Sequence, residues 1–131
     1  MALVIDLKPG EKILIGNAVI TNDSQRSRLH IAGDAPILRE KDVMQEENAD
    51  TPAKRIYFIV QCMYLSPTPE TLHETYFEQV REVQKAAPST AVYILAISEE
   101  ILAGRYYRAL KCAKKLIDYE RELLTDGTEP E

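Results

Sequence analysis

The side chains best suited to nucleophilic, general-base or soft-metal chemistry near neutral pH are His30, His73, Cys62 and Cys112. Their positions assemble none of these chemistries. Neither histidine has a Ser or Cys placed to suggest a triad, and two histidines with two scattered cysteines make no metal-ligand spacing. Glycine-rich phosphate loops of the GxGxxG or GxxxxGK type are missing. His73 lies on a helical pattern among glutamates and reads as a surface residue, and His30 alternates outward on a strand. Cys62 and Cys112 sit inside apolar helical patterns and read as buried free thiols. The pairs Glu46-Glu47 and Glu99-Glu100 read as charges at helix starts. The expectation is a protein that is not an enzyme and needs no cofactor and no metal.

The cations are more informative. Arg26, Arg28, Arg39 and Lys41 cluster near the end of a strand-rich region, and Lys8 and Lys12 flank its first turn. A second group, Arg105, Arg108, Lys111, Lys114 and Lys115, falls within residues 101–117, which contain no acid. Arg108, Lys111 and Lys115 share one helical face away from the apolar stripe. That face is either a solvated surface favoured by the helix dipole or a stripe that contacts phosphates. Single-stranded RNA is gripped by such cations together with stacking rings or exposed strand backbone. Tyr106 and Tyr107 offer rings, although Tyr106 also suits an interior position. A net charge of −5 argues against non-specific coating of nucleic acid and leaves room for a local basic patch.

The elements that must position these residues change character along the chain. Residues 3–7, 12–15, 18–21, 28–31 and 35–39 read as short strands cut by Pro9-Gly10, Gly16-Asn17 and Gly33-Asp34. After Val43 the pattern becomes helical. Asp50 or Thr51 can cap a helix that starts at Pro52 and runs to Tyr64, with Ile56, Ile59, Val60, Met63 and Tyr64 on its apolar face. Glu70 to Ala86 form the next, with Leu72, Tyr76, Val80 and Val83 inward. Residues 91–97 are so apolar that a buried strand fits as well, although a Ser89 or Thr90 cap and the Ser98-Glu99-Glu100 continuation favour a helix over 91–102. Gly104 breaks the chain before a last helix, Arg105 to Leu124, whose inner face is Tyr106, Leu110, Ala113, Ile117 and Leu124. The expected class is α+β: an antiparallel β module over 1–45, a bundle of three to four helices over 46–125 and a disordered tail over 126–131. The N-terminus lacks the pattern of a secretory signal, and no apolar run approaches the ~20 residues needed to span a bilayer. A cytoplasmic location is expected, with no membrane partner.

Several segments carry a family resemblance over nearly the whole chain: Leu7-Lys8-Pro9-Gly10-Glu11, Ile37-Leu38-Arg39-Glu40-Lys41-Asp42, Ala49-Asp50-Thr51-Pro52-Ala53, Gly104-Arg105-Tyr106-Tyr107-Arg108-Ala109-Leu110 and Leu116-Ile117-Asp118-Tyr119-Glu120. They resemble the FlbT flagellar biosynthesis regulators of alphaproteobacteria. The resemblance implies post-transcriptional control of flagellin: association with the 5′ untranslated leader of flagellin mRNA, with effects on translation and message stability. A second resemblance covers only residues 3–42. Lys8-Pro9-Gly10-Glu11, Ile13-Leu14-Ile15-Gly16, Arg28-Leu29-His30-Ile31, Ala35-Pro36 and Arg39-Glu40 are similar to the carbon storage regulator family, small five-stranded proteins that form intertwined dimers and bind leader RNA. It implies that Arg39, in the Arg-Glu that closes the last strand, contacts RNA. Leu7 stands where that family has its other basic strand residue. The segment before Arg39 is several residues shorter, so a stunted or differently paired last strand is expected.

The expected function is therefore leader-RNA binding by the strand module, with Arg39 central and Arg26, Arg28, Lys41, Lys8 and Lys12 around it, and Arg105, Arg108, Lys111 and Lys115 as a secondary stripe. The alternative is an adaptor or chaperone-like partner of flagellin or another flagellar regulatory protein, anchored by tyrosines such as Tyr107 or Tyr119. Because a module of this size buries little core alone, a homodimer is also expected.

Overall fold

Pro and Gly set the strand lengths, and the fold then follows from which strands pair. In a computed structural model describing residues 2–126, the chain forms β1 (Ala2–Leu7), β2 (Lys12–Ile15), β3 (Ala18–Thr21), β4 (Ser27–Ala32) and β5 (Ile37–Arg39), then α1 (Pro52–Leu65), α2 (His73–Ala86), α3 (Ala91–Leu102) and α4 (Tyr106–Asp126). The class is α+β, with antiparallel strands followed by four helices. Two compact units result, Met1–Val43 and Met44–Glu131. Of the tail expected over 126–131, Asp126 ends α4 and the rest lies outside the described residues.

In the first unit the strands form two small sheets, β1–β4 and β3–β2–β5, all antiparallel. The turn at Lys8–Glu11 thus carries the chain from one sheet to the other. Gly16 at φ +60 opens a two-residue hairpin whose Asn17 keeps a negative φ, the type II′ pattern that matches strand twist. Along β4, Leu29 and Ile31 are half-buried while Arg28 and His30 are exposed, as period-two alternation dictates. Ile5, Leu7 and Ile13 form the core, with Ile15, Leu29, Ile31 and Ile37 packed against it. β5 has only three residues and pairs with β2, so the last strand is short, as the sequence implied.

In the second unit Thr51, not Asp50, caps α1: its hydroxyl accepts from Lys54 N at 3.2 Å, and Pro52 follows at the first helical position. Asp50 instead pairs with Lys54 at 3.5 Å. The α1 face is rotated from the expected one. Tyr57 and Gln61 are buried with Ile56, Val60 and Met63, while Ile59 and Tyr64 are half-buried. α2 starts at His73 because Pro69–Leu72 form a 3-10 turn that leads into it. Another 3-10 turn, Pro88–Thr90, leads into α3, where neither expected cap operates, since the Thr90 hydroxyl donates back to Ala87 O at 2.7 Å. Residues 91–97 are helical, and Ile94, Ile97 and Ile101 turn inward.

α3 ends in a Schellman arrangement. Arg105 N donates to Glu100 O and Gly104 N to Ile101 O, with Gly104 at φ +78. Glu99 and Glu100 consequently sit in the last turn of α3, not at a helix start. In α4, Leu110, Ala113 and Ile117 are buried as expected, Tyr106 is half-buried, and Leu124, expected inward, is 56% exposed.

Two side chains fasten α1, one to α4 and one to the segment that precedes it. Glu120 on α4 accepts from the Thr51 hydroxyl at 2.6 Å and from Ala53 N at 3.1 Å, closing the start of α1. Gln61 is 5% exposed and brackets residue 44: its Oε1 accepts from Met44 N at 2.8 Å and its Nε2 donates to Met44 O at 3.0 Å.

Candidate nucleic-acid interface

The first turn organises the basic end of the strand module. Glu11 N donates to Lys8 O at 3.0 Å, and the Glu11 carboxylate accepts from Lys8 N at 2.9 Å. Gly10 at φ +77 turns its N–H toward Asn22 O and Asp23 O, a left-handed conformation that a Cβ would strain. Asn22 works back on the turn. Its Nδ2 is shared among Leu7 O, Lys8 O and Gln25 O at 3.1, 2.9 and 2.7 Å, and its Oδ1 accepts from the Ser27 hydroxyl. Asn22 is not among the residues singled out from the sequence. The signal that could have singled it out is the habit of Asn of bonding nearby backbone in turns.

The six expected cations come to this end. Arg39 reaches from β5 to the other sheet, its Nη2 donating to Asp6 O at 2.8 Å and to Glu11 Oε2 at 3.2 Å, while its Nε is buried without an acceptor. Arg39 thus ties the two sheets together, and about a third of its side chain is exposed. The Lys8 backbone N–H, and after it the Arg39 guanidinium, hold the Glu11 carboxyl below its usual range. Arg28 Nε meets Asp6 Oδ1 at 3.0 Å across the β1–β4 ladder, an exposed pair that adds little stability. Lys12 Nζ donates to Thr21 Oγ1 at 3.4 Å, and Lys12 N to Glu40 Oε1 at 3.3 Å. Lys41 follows Glu40, and Arg26 lies just beyond Ser27, whose ladder partner Leu7 precedes Lys8. Lys8, Arg26 and Lys41 are exposed and form no ion pair among the described residues.

Charge and rings are unevenly shared. Up to residue 43 the six cations are matched by six carboxylates, so the net −5 belongs to the rest of the chain. All seven tyrosines and both phenylalanines also lie beyond residue 43.

The secondary stripe is partly committed. Arg105 Nε bonds Glu100 Oε1 at 2.6 Å, and Lys111 Nζ stands 5.4 Å from the centroid of the Tyr107 ring, itself 5.4 Å from Tyr64. Arg108 and Lys115 are exposed without an ion pair among the described residues. Tyr106 faces inward to His73, hydroxyl to Nε2 at 3.1 Å, so His73 is half-buried rather than a free surface residue. Tyr119 stacks on Tyr93 at 4.7 Å and donates to the Ser89 hydroxyl, whereas Tyr107 remains 43% exposed. Both cysteines are free and half-buried, and burial, then Glu46, raises the Cys62 thiol pKa. No group of three or more His, Cys, Asp or Glu among the described residues could hold a metal, and no described helix is long and apolar enough to cross a membrane.

Residues 3–124 match the model of the family described as flagellar protein FlbT. The chain belongs to the FlbT family. A probable flagellum biosynthesis repressor protein FlbT 1 from Bradyrhizobium diazoefficiens is 55% identical over 124 residues, covering 94% of this chain and 85% of the relative. A relative of similar name from Rhodopseudomonas palustris is 46% identical over 95% of this chain and 99% of its own length. The flagellum biosynthesis repressor protein FlbT of Caulobacter vibrioides is 39% identical over 95% and 90%. No solved structure matches. FlbT proteins are regulators rather than enzymes.

Proposed function

We propose that this chain is a cytoplasmic regulator that restrains flagellin synthesis by binding the 5′ untranslated leader of flagellin mRNA, altering its translation and stability. The relatives' names as flagellum biosynthesis repressors support the regulatory part. The observation that carries the RNA part is the set of exposed cations that form no ion pair among the described residues, Lys8, Arg26 and Lys41, gathered at the end of the module where Arg39 is pinned by Asp6 and Glu11. Arg39 supplies an oriented guanidinium, and Arg108 and Lys115 offer a secondary phosphate track. Because the module is neutral overall, affinity must come from placement rather than from bulk field.

The test is binding of the full chain to its flagellin leader and to a scrambled RNA across a salt series. The leader should bind more tightly. The double variant Lys8→Ala/Arg26→Ala should reduce the slope of log affinity against log salt by roughly 0.7 per lost contact. Equal binding of scrambled RNA, or an unchanged slope, overturns the proposal.

We also propose that the protein works as a homodimer. β1, β4, β3 and β5 each leave one side unpaired within the module, and Val4 and Val19 are more than half exposed on them. Light scattering of the full chain should return the mass of two copies, and a single-copy mass at micromolar concentration defeats it.

A further inference from the structure

α3 is more apolar than its packing uses. While Ile94, Ile97 and Ile101 point inward, Val92, Leu95 and Leu102 are 67%, 60% and 68% exposed. Positions 92, 95, 99 and 102 follow the alternating three- and four-residue steps of a heptad seam, flanked by the small residues Ala91, Ala96 and Ala103. In the middle of the seam stands Glu99, exposed, its carboxylate without a hydrogen bond or ion pair among the described residues. It occupies the last turn of the helix, where the dipole disfavours an acid. Its neighbour Glu100 meets the same penalty and is compensated by Arg105 at 2.6 Å, while Glu99 is not.

This combination selects among occupants. A second copy paired in parallel through the seam sets one Glu99 against the other. Paired antiparallel about the seam centre, it sets Glu99 against Leu95. Both arrangements bury an uncompensated carboxylate, which is costly. A helix from another protein, with an apolar stripe and a cation facing Glu99, satisfies the whole surface in the helix-in-groove manner.

We propose that the outer face of α3 is a docking surface for an amphipathic helix of a partner protein that carries an apolar seam and a Lys or Arg opposite Glu99. The surface lies on α3 of the second unit, and the proposal does not rest on RNA binding by the strands.

The probes are three synthetic amphipathic helical peptides with the same leucine seam and Lys, Leu or Glu at its central position, titrated against the full-length chain by fluorescence anisotropy. The Lys peptide should bind about tenfold more tightly than the Glu peptide at low salt. Glu99→Lys should reverse that order. Leu95→Asp should abolish binding of all three with helical circular dichroism unchanged, and Leu102→Ser provides a milder variant should Leu95→Asp disturb the fold. The proposal is overturned if no peptide binds, if the three bind equally, or if binding survives both seam variants. Self-association of the chain that Leu95→Asp or Leu102→Ser removes would also overturn it, by showing that a second copy covers the seam.

Discussion

Gln61→Ala should destabilise the helical unit by about 2–4 kcal/mol, read from urea unfolding followed by far-UV circular dichroism. Gln61 is nearly inaccessible, and its amide meets both backbone polar groups of Met44 at 2.8 and 3.0 Å. Truncation removes two bonds and leaves a half-buried N–H and a half-buried C=O to find new partners, which costs more than the net worth of the bonds themselves. Gln61→Met separates this from cavity formation. It keeps the volume but cannot donate, so it should recover only a minor part of the loss. Full recovery by methionine would mean that packing, not the bracket on residue 44, is what matters.

Glu120→Ala should cost about 2–3 kcal/mol and lower the thermal midpoint by roughly 8–24 °C for a unit of this size. The carboxylate accepts from the Thr51 hydroxyl at 2.6 Å and from Ala53 N at 3.1 Å, so it closes the N-terminus of α1 from a residue 67 positions away. A negative group there is also favoured by the helix dipole. Glu120→Gln keeps an acceptor oxygen and loses the charge, and should fall between wild type and alanine. A midpoint for alanine within a degree or two of wild type would show that Thr51 alone holds the cap. The Ala49–Ala53 and Leu116–Glu120 segments, both part of the family resemblance, meet through these bonds, so part of that resemblance is architectural.

What could be read along the chain was local. Pro9-Gly10, Gly16-Asn17 and Gly104 impose conformations on their own neighbours, so strand edges and the α3–α4 break were visible in advance. Pairing was not visible. Nothing near Leu7 announces that β1 joins β4 rather than β2, because that choice depends on how the Ile5, Leu7 and Ile13 side chains share one core. The helix–strand ambiguity at residues 91–97 arose because α3 keeps apolar residues on its exposed side, which blurs the period. Basic side chains were legible as types, and their neighbours were not. That Arg39 would be held by Asp6 O and Glu11 required two sheets to be brought together, and that Arg28 would meet Asp6 required the β1–β4 pairing.

The absence of Phe and Tyr from the first 43 residues has an optical corollary. With no tryptophan in the chain, ultraviolet emission comes from tyrosines of the helical unit alone. A polynucleotide seated on the strand module meets no Phe or Tyr ring there, so its grip must come from ion pairs, hydrogen bonds and stacking on the exposed His30 imidazole or an arginine plane. Strong quenching on titration would place the bases within reach of tyrosines of the helical unit.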